Sequence, residues 1–252
     1  MQTLAIDIGN TRTKLARFDE AGRMAGVTAC STAQIVPELE QFLAAFDPAA
    51  PLRAGWISVS AELDLAALPL WGIWKGPLRL HRLTAQSPMP LHNRYRTPAT
   101  LGADRIVAVA GARMQAPGSP LLVIDAGTAI TYDAATAAGE YLGGAIAPGI
   151  RMRFRALHEF TARLPLAEPE PEPALVGSST LESLQSGVLW GIVSEAEGMI
   201  ARYRDRLGGD LQVFLTGGDT PHFEKHLKSV NFADANLTLK GIYHILSSPP
   251  YV

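Results

Sequence analysis

Short apolar runs alternate with turn chemistry through the first third of the chain. Residues 4–8 form a β-type run with Asp7 at its end, and Gly9-Asn10-Thr11 supplies a turn. Residues 13–18 read as a second strand, so the pair predicts a hairpin around Gly-Asn. Asp19-Glu20-Ala21-Gly22 gives the next turn, and residues 24–29 a third strand. Ile35, Leu39, Phe42, Leu43 and Phe46 recur at helical spacing and predict a helix over 34–46. A strand is expected over 54–59. Residues 62–97 are less regular and punctuated by Pro and Gly, and a helix follows over 101–114.

The pattern then restarts. Residues 121–124 are a β-type run that again meets an aspartate, Asp125, before Gly127-Thr128 and a strand at 130–132. Asp7-Ile8-Gly9 and Asp125-Ala126-Gly127 stand 118 residues apart, with Thr13 and Thr131 in step. This predicts an internal duplication of a strand-turn-strand unit. Residues 142–150 are glycine-rich and end in Pro148-Gly149, and 151–160 read as a helix. The alternating Pro and Glu of 165–173 cannot sustain a helix and predict an extended, solvated loop. A long helix is expected over 181–207, a strand over 213–215, a turn at Thr216-Gly217-Gly218-Asp219 and a closing helix over 237–246. The fold class is therefore α/β, with two lobes expected at 1–114 and 115–252.

Composition narrows the function. The 252 residues are 47% hydrophobic and 18% charged, which suits a globular chain with a sizeable core. The formal charge of −2 offers no basic footprint for nucleic acid. One cysteine, Cys30, excludes an internal disulfide and argues for a reducing, cytoplasmic setting. The N-terminus does not read as a signal peptide, and no apolar run approaches the ~20 residues of a membrane span. His222 and His226 are spaced like helical metal ligands but lack a third ligand nearby in sequence. The four tryptophans read as core or interface.

Candidate chemistry collects at the turns. In Asp7-Ile8-Gly9-Asn10-Thr11-Arg12-Thr13-Lys14, glycine lets consecutive backbone N–H groups face a phosphate. Asn10 and Thr11 add short side-chain donors, Lys14 a positive charge, and Asp7 an oxygen for a metal ion. Asp125-Ala126-Gly127-Thr128-Ala129 repeats this logic, and the Thr-Gly-Gly turn at 216–218 would let a flat ring and ribose approach the backbone. Neither a Walker A pattern nor a dinucleotide glycine fingerprint is present.

Three such elements in this order resemble the nucleotide site of the actin-like ATPase and sugar-kinase superfamily. Within it the chain is similar to type III pantothenate kinases over almost its whole length. D-I-G-N-T-R-T-K at 7–14, G-A-D-R at 102–105, D-A-G-T-A at 125–129, G-G-A-I-A-P-G at 143–149 and Thr-Gly-Gly at 216–218 carry the resemblance. It implies two duplicated actin-like (ribonuclease H-like) lobes with ATP in the cleft between them. It also implies phosphorylation of pantothenate by ATP with Mg²⁺, the first step of coenzyme A synthesis. By position, Asp7, Gly9, Asn10, Thr11, Lys14 and Thr128 would bind ATP. Tyr95, Gly102, Ala103, Asp104, Arg105 and Thr180 would bind pantothenate. Asp104 would be the general base, and Asp125 would hold a monovalent cation, K⁺ or NH₄⁺. The family is homodimeric, and the helix from Leu181 is the expected packing element. At Ser178-Ser179-Thr180 the chain departs from the family, which more often has Asn before this threonine. Two other readings are a kinase for a different small alcohol or sugar, and a catalytically silent regulatory homologue.

Overall fold

The computed structural model describes residues 1–59 and 64–252, so two positions of the irregular 62–97 segment lie outside the described residues. The chain divides into two compact units. The first holds Met1–Gln115 with Leu237–Val252, and the second Ala116–Asn236.

In the first unit, β1 (Gln2–Ile8), β2 (Arg12–Phe18) and β3 (Met24–Ser31) form an antiparallel meander, while β4 (Leu52–Ser58) and β5 (Leu78–Arg82) add in parallel. The order is β3-β2-β1-β4-β5. Strand β1 is buried over Thr3–Ile6 on both faces, whereas the edge strand β3 alternates half-buried and exposed residues for most of its length. That difference is expected between a central strand and an edge. Helix α1 (Ile35–Leu43) buries Ile35, Leu39 and Leu43, one stripe at four-residue spacing, and belongs to the same core as Leu4, Ile6 and Trp56. A short strand β6 (His92–Asn93) precedes α2 (Ala103–Gln115).

The second unit repeats the plan. Strands β7 (Leu121–Ala126), β8 (Ala129–Ala135) and β9 (Glu140–Pro148) are an antiparallel meander, and β10 (Gln212–Thr216) and β11 (Phe232–Ala233) add in parallel to β7 and to each other. Within this unit the order β9-β8-β7-β10-β11 repeats the order of the first sheet. The duplication expected from two aspartate-bearing turns is thus a duplication of whole sheets. Helices α3 (Ile150–Glu159) and α4 (Thr180–Leu207) contribute Phe154, Leu184, Val188, Leu189, Ile192, Ala196 and Ile200 to the core over this sheet. Ser179 caps α4, its Oγ accepting from the Glu182 N–H at 3.2 Å.

Two expectations change. The closing helix, α5 (Leu237–Leu246), has the expected bounds but groups with the first unit rather than with 115–236. The reason is close helix packing on α2. A Cβ on Gly241 would lie 2.0 Å from the Val107 carbonyl oxygen, and one on Gly111 would lie 2.3 Å from that of Leu237. Only hydrogen at both positions lets the backbones meet. The 165–173 segment is irregular as expected, but α4 straps it down. Gln185 donates to the Glu168 carbonyl (3.2 Å), Ser186 to that of Leu175 (2.7 Å) and Trp190 to that of Pro173 (3.2 Å). Among the described residues no helix is long and apolar enough to cross a membrane.

Candidate active site

The first unit brings the phosphate motif and the G-A-D-R string together. Asp7 stands at the end of β1 directly opposite Lys14 on β2. The intervening turn closes with the Gly9 N–H donating to the Arg12 carbonyl at 3.0 Å, and a Cβ on Gly9 would lie 2.7 Å from that oxygen. Thr32 fastens the turn from beside it. Its N–H donates to the Thr11 carbonyl (3.0 Å) and its hydroxyl to that of Gly9 (2.9 Å). Asn10 and Thr11 are left exposed at the tip, where a ligand can reach them.

Asp104 occupies the first turn of α2, and its charge reaches Asp7. The Asp7 carboxyl is pushed up from about 3.8 to about 6, first by burial, then by Asp104, against the opposing pull of Lys14. A carboxyl whose ionisation a neighbouring carboxylate disfavours, with a lysine opposite it, suits a divalent cation and a polyphosphate. The Asp104 carboxylate also folds back over Gly102. A Cβ there would lie 2.4 Å from Asp104 Oδ1. Arg105 is buried, its guanidinium 5.8 Å above the Tyr95 ring, so two residues ten positions apart form one surface.

The raised Asp7 pKa has a thermodynamic consequence. Folded protein holds this proton more tightly than the unfolded chain. The resulting stability is complete below about pH 4 and is lost as pH rises through about 6. Asp7→Asn removes the charge and hence the loss. In buffers free of divalent cations it is expected to melt above wild type at pH 7.5, with the gap closing towards pH 4. Melting curves from pH 4 to 8 check this.

The second unit gathers the other strings. The Asp219 N–H donates to the Ala126 carbonyl (2.8 Å), which lays the Thr216–Asp219 turn against the end of β7. Gly217 has φ +102°, and a Cβ on it would lie 2.4 Å from the Ala126 carbonyl oxygen and 2.5 Å from Asp125 Oδ1. Gly149, before α3, sits as tightly against the carbonyls of Gly127 and Thr128, with contacts of 2.5 and 2.3 Å for a Cβ. Asp125, Thr128, Pro148-Gly149 and Gly217 are therefore one constellation, with Thr128 exposed.

Thr180 lies elsewhere in this unit, at the start of α4. With Arg153, Leu157, Leu164, Ser178 and Leu184 it lines a cavity of about 1000 Å³. Ser178 donates through both N–H (2.8 Å) and Oγ (2.6 Å) to Glu182, which holds that carboxyl below its usual range. Sequence reasoning missed Arg153. Its Nη2 pairs with Glu195 at 2.7 Å and its Nε donates to the Pro148 carbonyl at 2.9 Å. Glu195 also accepts from the Tyr132 hydroxyl (3.1 Å), and burial raises that phenol's pKa. The three positions are scattered over 63 residues, and no local spacing marks them. Arg151, bonded to Asp219 at 3.1 Å, was missed for the same reason. His222 and His226 form no metal pair: His226 contacts the Pro171 carbonyl (3.2 Å) and stacks edge-on with Trp190.

Residues 3–202 match the family description "Type III pantothenate kinase". A type III pantothenate kinase of Bacteroides fragilis is 41% identical over 97% of both chains, and one of Flavobacterium johnsoniae 37% over 95% of both. Among solved structures, a Campylobacter jejuni protein assigned to the Baf family of transcriptional activators superposes with a TM-score of 0.63 at 22% identity, covering 99% of this chain and 100% of that one. A Listeria monocytogenes protein assigned as an N-acetylmannosamine kinase gives 0.52 at 17%, covering 98% and 99%. At such identities the likeness is one of fold, that of the actin-like ATPases and sugar kinases.

Proposed function

The chain belongs to the type III pantothenate kinase family, and on that premise we propose how its residues divide the work. The reaction is ATP-dependent phosphorylation of pantothenate, in coenzyme A biosynthesis, with Mg²⁺ accompanying the nucleotide. The observation that carries the assignment is that the Asp104 charge reaches Asp7, which stands opposite Lys14 in the first unit.

In phosphoryl transfer the protein chiefly positions groups and offsets charge. The backbone of the Gly9 turn, with Asn10, Thr11 and Lys14, donates to phosphate oxygens. Asp7 would hold Mg²⁺, directly or through water, and the bound ion would supply positive charge for the phosphates. Asp104 accepts the proton of the pantothenate primary hydroxyl as that oxygen attacks the γ-phosphate. Arg105 supplies a planar fork for the carboxylate at the far end of pantothenate, with Tyr95 as its base plate. Gly102 and Ala103 complete that wall, and Thr180 is a further candidate contact for the substrate. Thr128 contacts the nucleotide, while the hard oxygen of Asp125 suits K⁺ or NH₄⁺. The enzyme acts as a homodimer in the cytoplasm, with α4 as the packing element.

Release of ADP in a coupled assay tests these roles together. Turnover is expected with pantothenate, and at a higher rate when K⁺ or NH₄⁺ is supplied. Equal rates with and without either ion would remove the cation role of Asp125. Glucose is expected neither to support turnover nor to compete; competition would favour the sugar-kinase reading. Pantothenate binding without ADP release would favour the silent regulator.

A further inference from the structure

Three basic side chains share one face of the first unit's sheet, and among the described residues no acid pairs with them. Thr3, Arg53 and Arg79 stand in register across β1, β4 and β5. His81 lies two residues beyond Arg79 and so joins the same face. The end of α5 covers it: a Cβ on Gly55, between these rows, would lie 2.6 Å from Leu246 Cδ1. This is the opposite end of β1 from Asp7, about 13 Å along the strand at ~3.3 Å per residue.

Arg53 is 6% exposed. Its Nη2 donates to Thr3 Oγ1 (3.3 Å) and Ser247 Oγ (3.2 Å), while its Nε has no hydrogen-bond partner among the described residues. Nε2 of His81 is buried and equally unsatisfied. Exposed Arg79 donates to the Tyr251 carbonyl (3.4 Å), and the Tyr251 ring stands edge-on to His81 at 5.1 Å. Among the described residues no carboxylate lies within 4 Å of Arg53, Arg79 or His81. Burial and mutual repulsion lower the pKa of His81, and burial that of Arg53 with Arg79 adding to it, opposed only by Tyr243. The helix end does not supply the missing charge through hydrogen bonds. The last-turn carbonyls of Tyr243, His244 and Ile245 accept from Ser247 and Ser248, and none accepts from Arg53.

Burying a guanidinium without a counter-charge is costly, and lining up like charges across strands adds to that cost. The two guanidiniums on this face carry donors alone. The Thr3 and Ser247 hydroxyls accept from Arg53, and among the described residues neither passes its own proton to a protein acceptor. We propose that this face binds a small oxyanion, the phosphate or carboxylate group of a metabolite, between Arg53, Arg79, His81 and the hydroxyls of Thr3 and Ser247. Arg79 and His81 form the entrance, and Arg53 the floor.

The His81 ring is the reporter. Inorganic phosphate and acetate are titrated separately at fixed ionic strength while its imidazole resonances are followed. At least one anion is expected to shift them along a saturable curve; the one that does identifies the group recognised. In Arg79→Gln, an exposed position that leaves the core intact, the apparent Kd is expected to rise about tenfold, the scale of a lost charge-assisted hydrogen bond. Pantothenate kinase turnover at saturating substrate stays unchanged, and phosphate bound at the Gly9 turn is common to both proteins. Unmoved His81 resonances with both anions, or the same Kd in the variant as in wild type, would overturn the proposal.

Discussion

Asp104→Asn is expected to lower kcat by about 10²- to 10⁴-fold, the usual contribution of a positioned general base. The amide keeps the shape of the carboxylate and its seat over Gly102 but accepts no proton from the attacking hydroxyl. A second readout separates this loss from misfolding. Asp104 is one of the causes that push the Asp7 carboxyl up to about 6. With the charge at 104 gone, Asp7 ionises more easily and the fold gains stability at neutral pH. An inactive enzyme that melts no lower than wild type is the expected pair of results. Near-normal turnover would remove Asp104 from the chemistry, and a collapsed melting temperature would make its role structural.

Gly217→Ala is expected to produce a large loss of stability. At φ +102° an L side chain is strained, which costs about 1–3 kcal/mol. The new methyl would also meet the Ala126 carbonyl oxygen, a backbone atom, at 2.4 Å and the Asp125 side-chain Oδ1 at 2.5 Å. Overpacking of this kind adds roughly 1–3 kcal/mol. For a chain of this length each kcal/mol moves Tm by about 2–4 °C, so a drop of roughly 4–24 °C is expected by calorimetry. Because the displaced atoms include Asp125, activation by K⁺ or NH₄⁺ should weaken in the same protein. A variant with wild-type Tm would show that the turn does not press on β7.

The contrast between local and long-range signals explains what was legible in the sequence. Strands β1, β2 and β7 and helices α4 and α5 carry strong local patterns, and their expected bounds lie within two residues of the observed ones. The two aspartate turns were readable because each packs its chemistry into a few consecutive residues. Strand β5, with the run Leu-Arg-Leu-His-Arg, was hidden because its alternate positions are basic and resemble a solvated segment. Strand β9 was hidden by its glycines, which are needed for contact: a Cβ on Gly144 would lie 1.5 Å from the Tyr132 carbonyl oxygen. The swap of α5 into the first unit depends on Gly111 meeting the α5 backbone from 126 residues away, and no window of sequence contains both ends of it. The Tyr132–Glu195–Arg153 linkage and the basic face around Arg53 were invisible for the same reason.

Mass analysis of the product tests the central assignment most directly. Purified protein is incubated with Mg·ATP, K⁺ and an equimolar mixture of pantothenate and glucose. One phosphoryl group per ADP released is expected on pantothenate alone, with the yield abolished in Asp104→Asn. ADP formed without phosphorylated pantothenate, or phosphate found on the sugar, would contradict the account.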